Sequence, residues 1–188
     1  MKKMKLKLID IILIAMFTAI VFTTEQALSF IPNIQLTVLL FILYTRLLGF
    51  KKTMIIIVLH TLADNLYLGG LNPFIFMPML IGWSLIPVLL TTVFRQFKGV
   101  VSLTIFAFVF GFIYGWVFIP FTMIAMNAKF LPYLIADLPF ELLMAISGAL
   151  SVALLYEPMY RFLSQQPYFY IEEALPMYKN PIKSKPHF

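Results

Sequence analysis

Long apolar runs separated by basic residues, thirteen of the 14 falling on one side, constrain this chain more than any other feature. Lys2, Lys3, Lys5 and Lys7 precede the first run, and Arg46, Lys51 and Lys52 stand between the second and third. Arg95 and Lys98 separate the fourth from the fifth, and Arg161, Lys179, Lys183 and Lys185 follow the sixth. Of the 14 Lys and Arg residues, Lys129 alone falls in a connection on the opposite side. The positive-inside rule makes the basic segments cytoplasmic. The expectation is an all-α integral membrane protein of the cell (inner, cytoplasmic) membrane, multi-pass, with six transmembrane helices and both termini cytoplasmic.

Composition bounds the rest. The chain is 62% hydrophobic and 12% charged, where soluble domains carry about 45–50% and about 25%. A span needs about 20 apolar residues, so 188 residues hold six spans and no separate soluble catalytic domain. The net charge of +6 is accounted for by topology and contact with the lipid bilayer, and no nucleic-acid groove is expected. With no cysteine, disulfides, thiolate nucleophiles and Cys-ligated metals are excluded.

The runs extend from about Leu6 to Phe30, to about Leu48, to about Leu68, to near Phe94, to at least Ile119, and from about Tyr133 to Leu155. Pro32 and Asn33 break the first, which lacks a small-residue cleavage site and is expected to stay as a helix. Gly49 to Lys52 and Arg95 to Gly99 are expected as inner turns, and Gly69 to Pro73 as an outer one. Residues 1–163 are then a membrane domain and 164–188 a cytoplasmic tail containing Tyr168, Phe169, Tyr170 and Tyr178. Pro78, Pro87 and Pro120 are expected kinks.

Ionisable groups within a membrane are costly unless paired or hydrated, so their depth carries functional information. Glu25, Asp64, Asp137 and Glu141 fall in the outer thirds of three runs, at one level. Asn33, Asn65, Tyr67 and Tyr114 stand around that level, with His60 one helical turn before Asp64, and Trp83, between Pro78 and Pro87, is either core or pocket wall. A polar cavity open to the outside and walled by aromatics would accommodate the set. Substrate-binding residues are therefore expected among Glu25, Asn33, Asp64, Asn65, Tyr67, Trp83, Tyr114, Asp137 and Glu141. His60, Asp64 and Glu141 could also be arranged as metal ligands, but no HExxH-type spacing supports this, and neither a metal nor a cofactor is expected.

Small residues recur four apart on several runs: Ala15 and Ala19 in the first, Gly111 and Gly115 in the fifth, and Ala145, Ala149 and Ala153 in the sixth. Such pairs let another helix approach closely in lipid. Spacing alone leaves open whether Ala15 and Ala19 pack internally or on a partner.

Three segments, Ile31 to Thr37, Ala63 to Gly70 and Leu138 to Leu143, together with the Ala15-Met16-Phe17-Thr18-Ala19 motif, resemble the substrate-binding S components of energy-coupling factor (ECF) vitamin transporters. The resemblance covers Leu6 to Leu163 and is strongest to a cobalamin-specific branch. Met144 and Gly148 stand where related sequences often carry His and Asn, a departure that argues against a small ring compound held by those two side chains. What the resemblance implies is a non-enzymatic capture subunit of an ABC-type importer, working with a transmembrane T subunit, which docks at Ala15 and Ala19, and with two ATPase subunits. The chain's lack of a GxxxxGK[ST] phosphate loop agrees with that division of labour.

Four carboxylates against one lysine disfavour anionic vitamins and favour a cation or a neutral molecule rich in donors. Cobalamin is the leading candidate on the resemblance, with thiamine-like, pyrimidine and purine-like compounds as alternatives. Outside the transporter class, the same residues would serve an intramembrane metal- or acid/base-dependent enzyme, or be incidental to a non-transporting six-span scaffold.

Overall fold

The computed structural model describes residues 6–31, 33–166 and 168–169. Lys2, Lys3, Lys5, Pro32, Tyr170, Tyr178, Lys179, Lys183 and Lys185 lie outside the described residues. Five helices follow one another: α1 (Leu8–Leu28), α2 (Thr37–Tyr67), α3 (Pro73–Thr91), α4 (Val100–Met126) and α5 (Phe130–Ser164). Six transmembrane helices are therefore not what the chain forms. Four helices, α1, α3, α4 and α5, are long and apolar enough to cross a membrane.

The departure lies in α2, into which the expected second and third spans merge. At Gly49 its backbone leaves the helical region (φ 75, ψ 174), a conformation glycine adopts without the steric cost a Cβ would bring. The element folds back on itself there. Phe41 and His60 have ring centroids 5.6 Å apart, whereas 19 residues of straight helix would separate them by about 28 Å. The arm before Gly49 is about 18 Å long, too short for a hydrocarbon core of about 30 Å. Its residues from Thr37 to Thr45 are all buried, so it is the centre of the bundle rather than a lipid-facing span. The second arm carries Lys51, Lys52 and Asp64 along with the buried His60.

Local signals explain the other boundaries. The Lys7 backbone N–H donates to Asp10 Oδ2 at 2.8 Å and starts α1. Asn72 caps α3, its Oδ1 accepting from Phe74 N at 3.0 Å, with Pro73 at the first helical position. Asn127 ends α4 in the left-handed region at φ 51. Pro78, Pro87 and Pro120 all lie inside helices, and α4 continues through Pro120 to Met126.

Trp83, Tyr44, Phe41 and Phe110 are the largest fully buried side chains and join α2, α3 and α4 through edge and stacked ring contacts. α4 and α5 run antiparallel at close range. A Cβ on Gly111 would meet the Ala145 backbone at 2.5 Å, and one on Gly115 would meet Glu141 at 2.5 Å. The outward surface stays apolar: Ile9, Ile12, Met16, Ile105, Val109, Leu150 and Leu154 are exposed, as suits lipid contact and not water.

The two ends of the bundle differ. At one end, called basic here, Lys52 Nζ lies 3.0 Å from Asp10 Oδ1 and 2.6 Å from the Tyr168 hydroxyl, which in turn donates to Asp10. Arg46 caps the end of α3, donating to the carbonyls of Leu90, Phe94 and Phe97. Both described chain ends lie there, joined by the contact between Asp10 and Tyr168. The other, acidic end holds Glu25, Asp64, Asp137 and Glu141.

Candidate functional site

At the acidic end, beside a larger apolar groove of about 510 Å³ lined by Trp116, Ile119, Pro120, Met123, Phe130 and Leu134, two polar cavities share Asn33. The larger of the two, of about 250 Å³, is lined by α4 and α5 residues, namely Gly111, Tyr114, Gly115, Phe118, Tyr133, Asp137, Glu141 and Met144, together with Asn33. The smaller, of about 210 Å³, is lined by Glu25, Gln26, Asp64 and the α1–α2 connection. Asn33 stands between them with φ 58, a left-handed conformation that Asn tolerates better than most residues. Its carbonyl accepts from Ser147 Oγ at 3.1 Å, tying the connection to α5.

The four carboxylates expected at one level are thus divided in pairs. Around the smaller cavity the charges are engaged. Glu25 Oε2 accepts from Thr37 Oγ1 at 3.0 Å and lies 3.0 Å from His60 Nε2. That His60 contact is at ion-pair distance but off normal hydrogen-bond alignment, and Nδ1 of the fully buried ring meets no partner. Asp64 Oδ1 accepts from Gln26 Nε2 at 2.6 Å. His60 and Asp64 therefore each turn to α1, to Glu25 and Gln26 respectively, rather than forming a pair of their own.

Around the larger cavity the situation is reversed. Glu141 is 3% exposed, and both of its carboxylate oxygens are buried without a hydrogen-bond partner. The Trp116 side chain is close enough to influence Glu141, but makes no bond of normal geometry with it. Asp137 stands one turn before Glu141 on the same face of α5. The carboxylate of Glu141 rests on the bare backbone of Gly115, where an added Cβ would lie 2.5 Å from Oε1. Tyr114 supplies the adjacent wall, its ring 4.2 Å from that of Trp83 and 5.1 Å from that of Phe118. It is pressed onto Gly82, where a Cβ would come within 2.7 Å of the ring.

Of the nine binding residues expected from sequence, Glu25, Asn33, Asp64, Tyr114, Asp137 and Glu141 line the two cavities. Trp83 lies behind Tyr114, fully buried. Asn65 is turned inward, donating to the Thr61 carbonyl at 2.9 Å and approaching Met79 Sδ at 3.5 Å. Tyr67 is exposed and meets Phe22 edge to face. Among the described residues no three His, Asp or Glu side chains gather as a metal site, so His60, Asp64 and Glu141 do not converge. Sequence reasoning passed over Tyr133 and Phe118, and took Gly115 only as a packing residue; its four-residue offset from Gly111 was the available signal.

Ala15 and Ala19 lie on an exposed face of α1, while Ile14, Phe17 and Val21 form its buried face against α2. Internal packing therefore does not occupy the small-residue stripe. Comparison with known protein families, with curated proteins and with solved structures gives no match.

Proposed function

We propose that this chain is the substrate-capture subunit of an ECF-type vitamin importer, working in the cytoplasmic membrane with its basic end inside. The observation that carries the proposal is the acidic end of the bundle: two adjoining cavities with four carboxyl groups, one of them buried and unpartnered, in a bundle whose flanks are otherwise apolar. A stable scaffold has no use for such a group, because an unsatisfied buried carboxyl costs free energy that a bound ligand would recover. The exposed Ala15 and Ala19 face supports docking of a transmembrane partner, whose own ATPase subunits would supply the energy. The kinship rests on sequence segments and on these two surfaces, not on the number of helices.

Cavity volume bears on the substrate. Ligand sites typically span about 300–1,000 Å³, and the two cavities of about 250 and 210 Å³ are far smaller than a corrinoid with its amides and nucleotide tail. A compact thiamine-like, pyrimidine or purine-like compound suits them better than cobalamin.

The test is extraction of ligand from protein purified out of a vitamin-replete culture, with mass spectrometry of the denatured extract, followed by calorimetry with the compound found. A micronutrient in stoichiometric amount is the expected result. An empty extract, and no affinity for thiamine, pyrimidines, purines or cobalamin, would overturn the proposal.

A further inference from the structure

Which of the two cavities receives the positive part of a ligand, and why, follows from how their charges are partnered. Around the smaller cavity Glu25 accepts from Thr37, with His60 Nε2 at ion-pair distance, and Asp64 accepts from Gln26. Around Glu141 they are not. A side chain 3% exposed, with both carboxylate oxygens unpartnered, lines an open cavity of about 250 Å³. The polar groups that share this cavity are Asp137, Tyr114, Tyr133 and Asn33, and no Lys, Arg or His is among its lining residues. Nothing in the lining thus neutralises Glu141, and Asp137 adds to the demand for positive charge.

The remaining lining is aromatic. Tyr114 and Phe118 present neighbouring rings 5.1 Å apart, and Trp83 backs Tyr114 at 4.2 Å. A carboxyl group and aromatic rings lining one cavity suit a flat or alkylated organic cation, because the ring quadrupole and an anion attract the same charge. Gly115 completes it. Its missing Cβ leaves the space in which the Glu141 carboxylate rests, so the charge stays at the cavity wall rather than filling the cavity.

Resting on the capture function proposed above, we infer that the cavity between α4 and α5 is a binding site for an organic cation, with Glu141 as counter-ion, Tyr114 and Phe118 as the aromatic wall, and Gly115 as the residue that seats Glu141. The ligand's positive centre is held beside Glu141 and Asp137, and any uncharged remainder extends past Asn33 toward the smaller cavity. Selectivity comes from charge: a neutral ring of equal size leaves Glu141 buried without a partner, and an anion meets two carboxylates.

The full chain in lipid nanodiscs tests this with small probes of similar shape and different charge. 1-Methylpyridinium and thiamine are the cations, nicotinamide the neutral ring and nicotinate the anion. Binding is read by calorimetry and by quenching of the two tryptophans. The cations are expected to bind at least ten-fold more tightly than nicotinamide, and nicotinate not to compete. Glu141→Gln should weaken cation binding at least ten-fold and leave any nicotinamide binding within two-fold. Asp137→Asn, at a less buried position that is safer for folding, should weaken the cations about three-fold. Gly115→Ala should reproduce the Glu141→Gln effect without removing a charge. If the neutral ring binds as well as the cations, or Glu141→Gln and Asp137→Asn leave cation affinity unchanged, the inference is overturned while the capture function stands. If neither these probes nor any extracted compound binds, both fall.

Discussion

The basic end of this bundle and the α4–α5 cavity at its acidic end treat buried charge in opposite ways. At the basic end Asp10 is met by Lys52, Tyr168 and the Lys7 backbone, and Arg46 by three carbonyls. At the acidic end Glu141 has no partner, and His60 has one misaligned contact with Glu25. The first pattern is that of a fastening, in which each charge holds two parts of the chain together. The second is that of a site left incomplete, where the missing partner is supplied from outside. Buried charge is therefore informative only together with its partners, since a paired carboxylate and an orphaned one look alike in sequence.

The comparison breaks if the fastening end tolerates mutation. Asp10→Ala removes the carboxylate from a buried pair and leaves Lys52 12% exposed without it, so stability should fall by about 3–5 kcal/mol. Thermal unfolding in detergent should show a melting temperature lower by on the order of 10 °C. A shift within experimental error would mean that the basic end does not hold the chain together.

Arg46→Met tests the same end with a smaller effect. The last carbonyls of α3 and the turn after it lose their donors while the stem volume is kept, and a loss of about 1.5–3 kcal/mol is expected. Measured by the same unfolding experiment, this variant should fall between wild type and Asp10→Ala.

Glu141→Gln sharpens the contrast by reversing the sign. Removing an unpartnered buried carboxyl should leave stability unchanged or raise it by about 1 kcal/mol, although the same substitution removes ligand binding. A melting temperature that falls as far as that of Asp10→Ala would show that Glu141 is a fastening too.

Ala15→Trp combined with Ala19→Trp should have less effect still on the isolated protein, within about 0.5 kcal/mol, because this face is exposed. Co-purification with transmembrane and ATPase partners, and ATP-driven uptake into vesicles, should be lost. Lys98→Cys and Lys129→Cys, both at exposed positions in a chain without cysteine, should alter stability least of all. A membrane-impermeant thiol reagent added to intact cells should label the cysteine at position 129 at once and that at position 98 only after lysis; the reverse would invert the proposed orientation.

Much of the helical plan was legible because apolar length is a local property. The four apolar helices, the turn at Gly69 to Pro73, and the basic turn from Arg95 to Gly99 after α3 can all be recognised within a few residues of chain. The expected second span was misread for the same reason. A stretch from Thr37 to Leu48 is equally apolar whether lipid or protein surrounds it, and its burial at the centre depends on Phe41 meeting His60, Trp83 and Tyr44. The binding residues divide likewise. Depth in the chain pointed to six of the nine that line the cavities, but Tyr67 and Asn65 differ from them by helical phase, which sets whether a side chain points into a cavity, the core or the surroundings.

By itself, the sequence determined that this chain is helical and apolar enough to enter a membrane, that all its basic residues but Lys129 fall toward one end, and that Glu25, Asp64, Asp137 and Glu141 fall toward the other. These follow from composition and linear spacing, because a helix converts distance along the chain into depth at a fixed rise per residue. The tertiary structure alone decided that Gly49 reverses α2 into a central hairpin, that the four carboxylates divide between two cavities, and that Ala15 and Ala19 face outward. It also left Glu141 against Gly115 without a partner. Those outcomes depend on which faces of neighbouring helices meet, and such contacts between residues far apart in the chain leave no periodic trace in it.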